Sequence, residues 1–161
     1  MKKILFIDNT AHHLYGQLHL MNGFKAHGFN VECLVPNDGD YFVKITELGF
    51  KCHSIKIDGK SRSIFKNHAL IRKYNHEFFK IKPSLICSFT IKPNLYGAMA
   101  ARSHKIPFIA GVTGLGTAFM KRNLLNSIVV RLYQFAFKEV NCVFFQNNDD
   151  RQTLEQKNII H

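Results

Sequence analysis

The chain has 161 residues, 46% of them hydrophobic and 20% charged, with a formal net charge of +11. This composition is that of a globular domain with a real core, and the length fits one domain, residues 1–161. No apolar run approaches the roughly 18 residues needed to span a bilayer, and the excess of positive charge calls for an anionic partner.

The first apolar run, Ile4–Ile7, stops at Asp8. It is too short for a signal peptide, whose apolar region needs about 7–15 residues, so it reads as a strand of a cytoplasmic protein. Further strands are expected at Val31–Val35, Cys52–Ile57, Leu85–Phe89, Phe108–Val112 and Cys142–Phe145. Helical spacing separates them: Gly16–His27, stopped by Gly28; a helix from Asp40, read as its N-cap, to Gly49; Phe65–Lys80, closed by Pro83; Pro93–His104; and Arg122–Lys138. A final helix is expected to be capped by Asn148 or Asp149. Near-continuous apolar strands alternating with helices mark a parallel sheet covered on both faces. The predicted fold is α/β, a doubly wound, Rossmann-like sheet of about six strands in the order 3-2-1-4-5-6.

The four cysteines, Cys33, Cys52, Cys87 and Cys142, are far apart and contain no Cys-x-x-Cys pair. They are read as reduced, buried strand residues.

In such a sheet, ligands bind outside the carboxyl ends of the strands. The turn after the first strand, Asp8 to Gln17, has no Gly-x-Gly-x-x-Gly, which removes the main support for a dinucleotide cofactor. It offers His12, His13 and Gly16, either as solvated loop residues or as a helix start that approaches a phosphate. No metal-ligand spacing surrounds the histidines, and no metal or cofactor is expected. Thr90, Lys92 and Asn94 follow the fourth strand, as a helix-opening turn or as groups facing a phosphate or sugar hydroxyls. Thr113, Gly114 and Gly116 follow the fifth, where glycine permits a tight turn or a close ligand approach.

Between Lys56 and Lys82 the chain is basic, with Lys60, Arg62, Lys66, Arg72, Lys73 and Lys80 interleaved with Phe65, Tyr74, Phe78 and Phe79. This is either the solvated face of an amphipathic helix or a surface for anionic lipid headgroups. No RNP, KH or helix-turn-helix signature is present, so no nucleic-acid partner is expected.

Five segments taken together carry a resemblance: Lys3–Ile7, Gly28–Val31, Ser88–Asn94 (SFTIKPN), Val112–Gly116 (VTGLG) and Phe144–Asn147. Their order resembles the N-terminal domain of family 4 (group 1) retaining glycosyltransferases, most of all bacterial enzymes that extend lipid-linked oligosaccharides for capsules, O-antigens or protein glycosylation. The resemblance implies half of a GT-B architecture, two Rossmann-like domains facing across a cleft. The N-terminal half would hold a polyprenyl-diphosphate-linked saccharide acceptor through the strand-tip residues named above. The other half would bind a nucleotide-sugar donor, UDP-linked, and carry a Glu-x7-Glu pair.

Neither Glu47, Glu77 nor Glu139 has a glutamate eight residues later. The donor domain is therefore expected outside this chain, in a longer gene or in a separate donor-half chain, and the chain alone is expected to be inactive as a hexosyltransferase. Its place would be peripheral, at the inner face of the cytoplasmic membrane. The alternative is a non-catalytic binding module for a phosphorylated ligand or a protein partner.

Overall fold

The computed structural model describes residues 1–57, 68–115, 119 and 124–160. Six parallel strands form one sheet: β1 (Lys3–Ile7), β2 (Asn30–Val35), β3 (Lys51–Ser54), β4 (Leu85–Phe89), β5 (Phe108–Val112) and β6 (Cys142–Phe145). Their order is β3-β2-β1-β4-β5-β6, as the alternation of strands and helices predicts. Strand β3 is shorter than expected, and ends at Ser54.

The helices are α1 (Ala11–Tyr15), α2 (Leu18–Ala26), α3 (Asp40–Glu47), α4 (His68–Ile81), α5 (Ala98–Ser103), α6 (Leu124–Phe137) and α7 (Asn148–Gln156). One apolar cluster joins Ile4, Phe6, Val31, Cys33, Val35 and Phe89 to residues of α1, α2 and α3. The other joins Leu5, Ile7, Ile86, Ala110 and Val112 to residues of α4, α5, α6 and α7. Successive strand residues thus feed opposite layers, which is why β1, β2 and β4 are apolar almost throughout.

Several helix boundaries differ from the sequence reading for identifiable reasons. The turn after β1 folds into α1, because the Thr10 hydroxyl accepts from the His13 N–H at 3.1 Å and caps a short helix. Gly39 occupies the cap position of α3, leaving Asp40 in the first turn, where its charge favours the helix dipole. Asn147, one residue earlier than expected, caps α7 by accepting from the Asp150 N–H at 2.8 Å.

The helix at Pro93 opens as a wide π-helical turn, Pro93–Gly97, before becoming α5. Gly97 lets this turn press on the sheet: a Cβ there would lie 2.6 Å from Ile7 Cδ1.

The expectation of uniformly buried cysteines is corrected. Cys33 and Cys87 are buried, Cys52 is half-buried and Cys142 is exposed. Strands β3 and β6 are the sheet's outer strands, so their residues have a neighbour strand on one side only.

Candidate functional site

All six strands point the same way, so the segments after β1, β2, β4, β5 and β6 gather at one edge of the sheet. A groove lies along that edge. Its polar part, about 390 Å³, is lined by His12, His13, Tyr15, Gly16, Gln17, Tyr41, Thr113 and Gln146. Its more apolar part, about 360 Å³, adds Leu20, Phe89, Val112, Phe144 and Phe145. Gly16, Gln17, Thr113 and Gln146 line both parts, so the two adjoin. A larger hollow of about 580 Å³ lies on the flank of the sheet, among α6, α7 and β6, with most of its wall away from the strand tips.

The polar part is built by a short chain of causes. The Asp38 carboxylate accepts from the Ala11 N–H at 3.3 Å, tying the segment after β2 to the start of α1. Helix α1 then sets His12 against Tyr41 of α3, ring centroids 4.5 Å apart, and Tyr15 at 5.2 Å from the same ring. Lys44 Nζ stands 4.9 Å above Tyr41. Aromatic faces, two glutamine amides and a threonine hydroxyl suit a neutral polyhydroxylated ligand, which needs both hydrogen bonds and apolar stacking faces.

His12, His13, Gly16 and Thr113 therefore line the groove, as their positions after strands suggested. Gly114 lies beside Thr113 with φ of +141°, a backbone state open to glycine. Gly116 falls outside the described residues.

The residues after β4 are held inward instead. Asn94 is buried, and its amino group donates to the Gly111 carbonyl at 2.9 Å, fastening the π-helical turn to β5. Lys92 is buried as well. Thr90 has φ of +65°, rare for a β-branched residue, and its hydroxyl donates to Asp8 Oδ1 at 3.0 Å.

Asp8 is fully buried, and its Oδ2 has no hydrogen-bond partner among the described residues. Burial pushes its carboxyl up to about 7, against hydrogen bonds from Thr90 and the backbone of Asn9 and Thr10. It is not among the residues that line the groove.

Sequence reasoning missed Gln17, Tyr41, Gln146 and Asp8. For Gln146 and Asp8 a signal existed, since each is the first polar residue after an apolar strand. Tyr41 had none, because its place depends on how α3 packs. Among the described residues, no group of three or more histidine, cysteine, aspartate or glutamate side chains is placed to hold a metal. Of the basic residues, Arg72, Lys73 and Lys80 are exposed on α4, while Lys60, Arg62 and Lys66 fall outside the described residues.

A family model described as "Glycosyl transferase 4-like" matches residues 3–147, nearly the whole chain. The chain belongs to the glycosyl transferase 4-like family. Among solved structures it is similar to MurG of Acinetobacter baumannii, at 14% identity and a TM-score of 0.61 over 90% of this chain and 41% of that one. It is also similar to HepE of Anabaena, determined with UDP and glucose, at 16% identity and a TM-score of 0.68, covering 98% of this chain and 41% of that one. The UDP-GlcNAc 2-epimerase of Methanocaldococcus jannaschii matches equally well, at 16% identity and a TM-score of 0.68, covering 98% and 43%. At such identities the likeness is one of fold. The chain spans less than half the length of each of these proteins. No curated protein matches.

Proposed function

We propose that this family member is the acceptor-holding side of a retaining glycosyltransferase, which passes a hexose from a nucleotide sugar to a lipid-linked saccharide in bacterial surface-glycan synthesis. The observation that carries the reading is the groove from His12 and Tyr41 to Phe144. It lies at the carboxyl edge of the sheet, is lined mainly by neutral polar and aromatic groups, and becomes apolar at one end. A saccharide joined to a lipid has the same division of character.

The UDP and glucose named with the HepE structure support a UDP-linked donor. The donor would be held by residues beyond this chain, in a second domain or a separate donor-half chain, and the chain alone would not turn over. Transfer depends on stabilising the departing nucleoside diphosphate, which requires both sides of a closed cleft.

The exposed Arg72, Lys73 and Lys80, with Phe79 beside them, support a peripheral position on the anionic inner face of the cytoplasmic membrane. Among the described residues no helix is long and apolar enough to cross a membrane.

The experiment is a titration followed by backbone amide chemical shifts, with a polyprenyl-diphosphate disaccharide, UDP-glucose and UDP as separate ligands. The lipid-linked saccharide should move the amides of Gln17, Thr113 and Gln146, and the nucleotides should leave them in place. Movement with UDP alone would transfer the groove to donor binding, the arrangement to weigh given the epimerase likeness. No movement with any of the three removes the acceptor reading and favours a module for another ligand or a protein partner.

A further inference from the structure

Cys33 on β2 and Cys52 on β3 are register partners in adjacent parallel strands. Register partners project to the same face, on backbones about 4.8 Å apart. That spacing lies within the Cα separation of about 4.4–6.8 Å that a disulfide requires. Both side chains face one apolar cluster, Cys33 within it and Cys52 packed against it, and the Cys52 Sγ donates to the Phe50 carbonyl at 3.7 Å. Strand β3 is the outer strand, so Cys52 is half-buried and reachable, while Cys33 is completely buried one strand further in. The neighbouring Cys33 side chain, opposed by burial and helped by Thr46, lowers the Cys52 thiol to about 7, and Cys33 itself is pushed well above the ordinary thiol range. The pair thus offers an accessible sulfur rich in thiolate with a second sulfur behind it. Cys87 differs: burial alone pushes it up to about 12.

We propose that Cys33 and Cys52 form a reversible dithiol site that reacts with small-molecule disulfides and closes as a Cys33–Cys52 disulfide. The Cys52 thiolate attacks one sulfur of a disulfide RSSR, breaking its S–S bond and releasing RS⁻, which takes a proton from water. Cys33 then gives up its proton and attacks the Cys52 sulfur of the mixed disulfide, releasing the second RS⁻, which is protonated in turn. Two protein thiols and one RSSR become one protein disulfide and two RSH, with two electrons passing to the small molecule. Excess RSH reverses both steps.

The site lies beneath a wall of the groove. Ile45 of α3 packs in the same apolar cluster as Cys33, with Cys52 against it, and the same helix presents Tyr41 to the groove. Closing the bond would therefore be felt at the helix that carries Tyr41.

The test uses the full chain with Cys142→Ser, which removes the exposed competing thiol. Reduced protein is equilibrated with mixtures of glutathione and glutathione disulfide, alkylated, digested with trypsin and analysed by mass spectrometry. The expected result is loss of two alkylatable thiols and a cross-link between the peptides of residues 26–44 and 52–56, both reversed by excess glutathione. Adding Cys33→Ser should instead trap one glutathione on Cys52. Phenylarsine oxide, which bridges two nearby thiols, should bind one per molecule only when both cysteines are present. The proposal is overturned if the folded protein keeps both thiols separately alkylatable at every ratio. Persistent glutathionylation of Cys52 with Cys33 intact overturns it equally. Should the Cys33→Ser protein not fold, the cross-link measurement on the Cys142→Ser chain decides alone.

Discussion

The Thr90 hydroxyl donates to Asp8 Oδ1 at 3.0 Å, joining the segments that follow β1 and β4, the two central strands. Thr90 reaches it from a left-handed backbone state, with φ of +65°. The Asn9 N–H also donates to Asp8 Oδ1, at 2.6 Å. One carboxylate oxygen therefore organises both segments, while the other is buried with no hydrogen-bond partner among the described residues.

The pH dependence of stability follows from this burial. The Asp8 pKa is raised from 3.8 to about 7 on folding, so the folded state binds the extra proton. Its contribution is fully present below about pH 4 and is lost as the pH rises through about 7. Asp8→Asn should remove this dependence. The unfolding free energy of the variant should gain on the native chain by roughly 4 kcal/mol between pH 4 and pH 8. Urea denaturation across that range checks it, and a constant difference would refute the raised pKa.

Glu32 behaves in the opposite sense. Burial pushes its carboxyl up, but hydrogen bonds from His53 at 2.7 Å and from Lys3, with the charges of Lys3 and Lys51, outweigh it and lower the pKa below 4.5. Its stabilisation is present at neutral pH and is lost as the pH falls through its folded value. Glu32→Gln should cost about 2 kcal/mol at pH 7. The gap should close in acid, measured by thermal unfolding at pH 7 and pH 3.5.

Close backbone approach predicts two intolerant glycines. A Cβ at Gly97 would lie 2.6 Å from Ile7 Cδ1, and one at Gly111 2.5 Å from Phe89 Cδ1. Each alanine substitution should cost about 1–3 kcal/mol through overpacking. Only Gly111→Ala should also change ligand affinity, because Phe89 lines the groove. Parallel calorimetric unfolding and binding titrations separate the two effects.

Saccharide binding should depend on groups that line the groove. Gln146→Ala and Tyr41→Ala should each weaken a lipid-linked saccharide about fivefold, corresponding to about 1 kcal/mol. Gln146 is exposed, so its variant should keep the native unfolding midpoint. Isothermal titration with the polyprenyl-diphosphate disaccharide provides the affinities, and native values for both variants would place the acceptor elsewhere.

For the membrane reading, Arg72→Gln with Lys80→Gln removes two exposed charges of α4. Lys73 is left in place because its Nζ donates to the Lys56 carbonyl at 2.8 Å. At about 1 kcal/mol per basic residue, co-sedimentation with phosphatidylglycerol vesicles should fall roughly 30-fold and vanish at high salt. Binding indifferent to both changes would rule out an electrostatic surface on α4.

The sheet order was legible in the sequence because its cause is local. A strand such as Leu5–Ile7 or Ile86–Phe89 must be apolar on both sides when helices cover both faces. Gly28 and Gly49 were equally plain as helix stops, at φ of +82° and +80°. The candidate site was legible only in part. Position after a strand identified His12, His13, Gly16 and Thr113, which do line the groove. The same rule failed for Asn94, because whether an amide faces outward or grips the Gly111 carbonyl depends on the π-helical turn, which no spacing announces. Tyr41 and Cys52 depend on contacts between segments far apart in sequence, and periodicity carries no information about those.

The pairing of β1 with β4, Ile4 beside Leu85 and Ile7 beside Ser88, also fixes an order of events in time. During synthesis β1 leaves the ribosome roughly 80 residues before its second neighbour exists, and one flank of the future central strand must wait unpaired. Contacts of such sequence separation are slow to form. The nascent chain, with its apolar β1 exposed, should therefore be most prone to aggregate or to recruit chaperones until Leu85–Phe89 emerges.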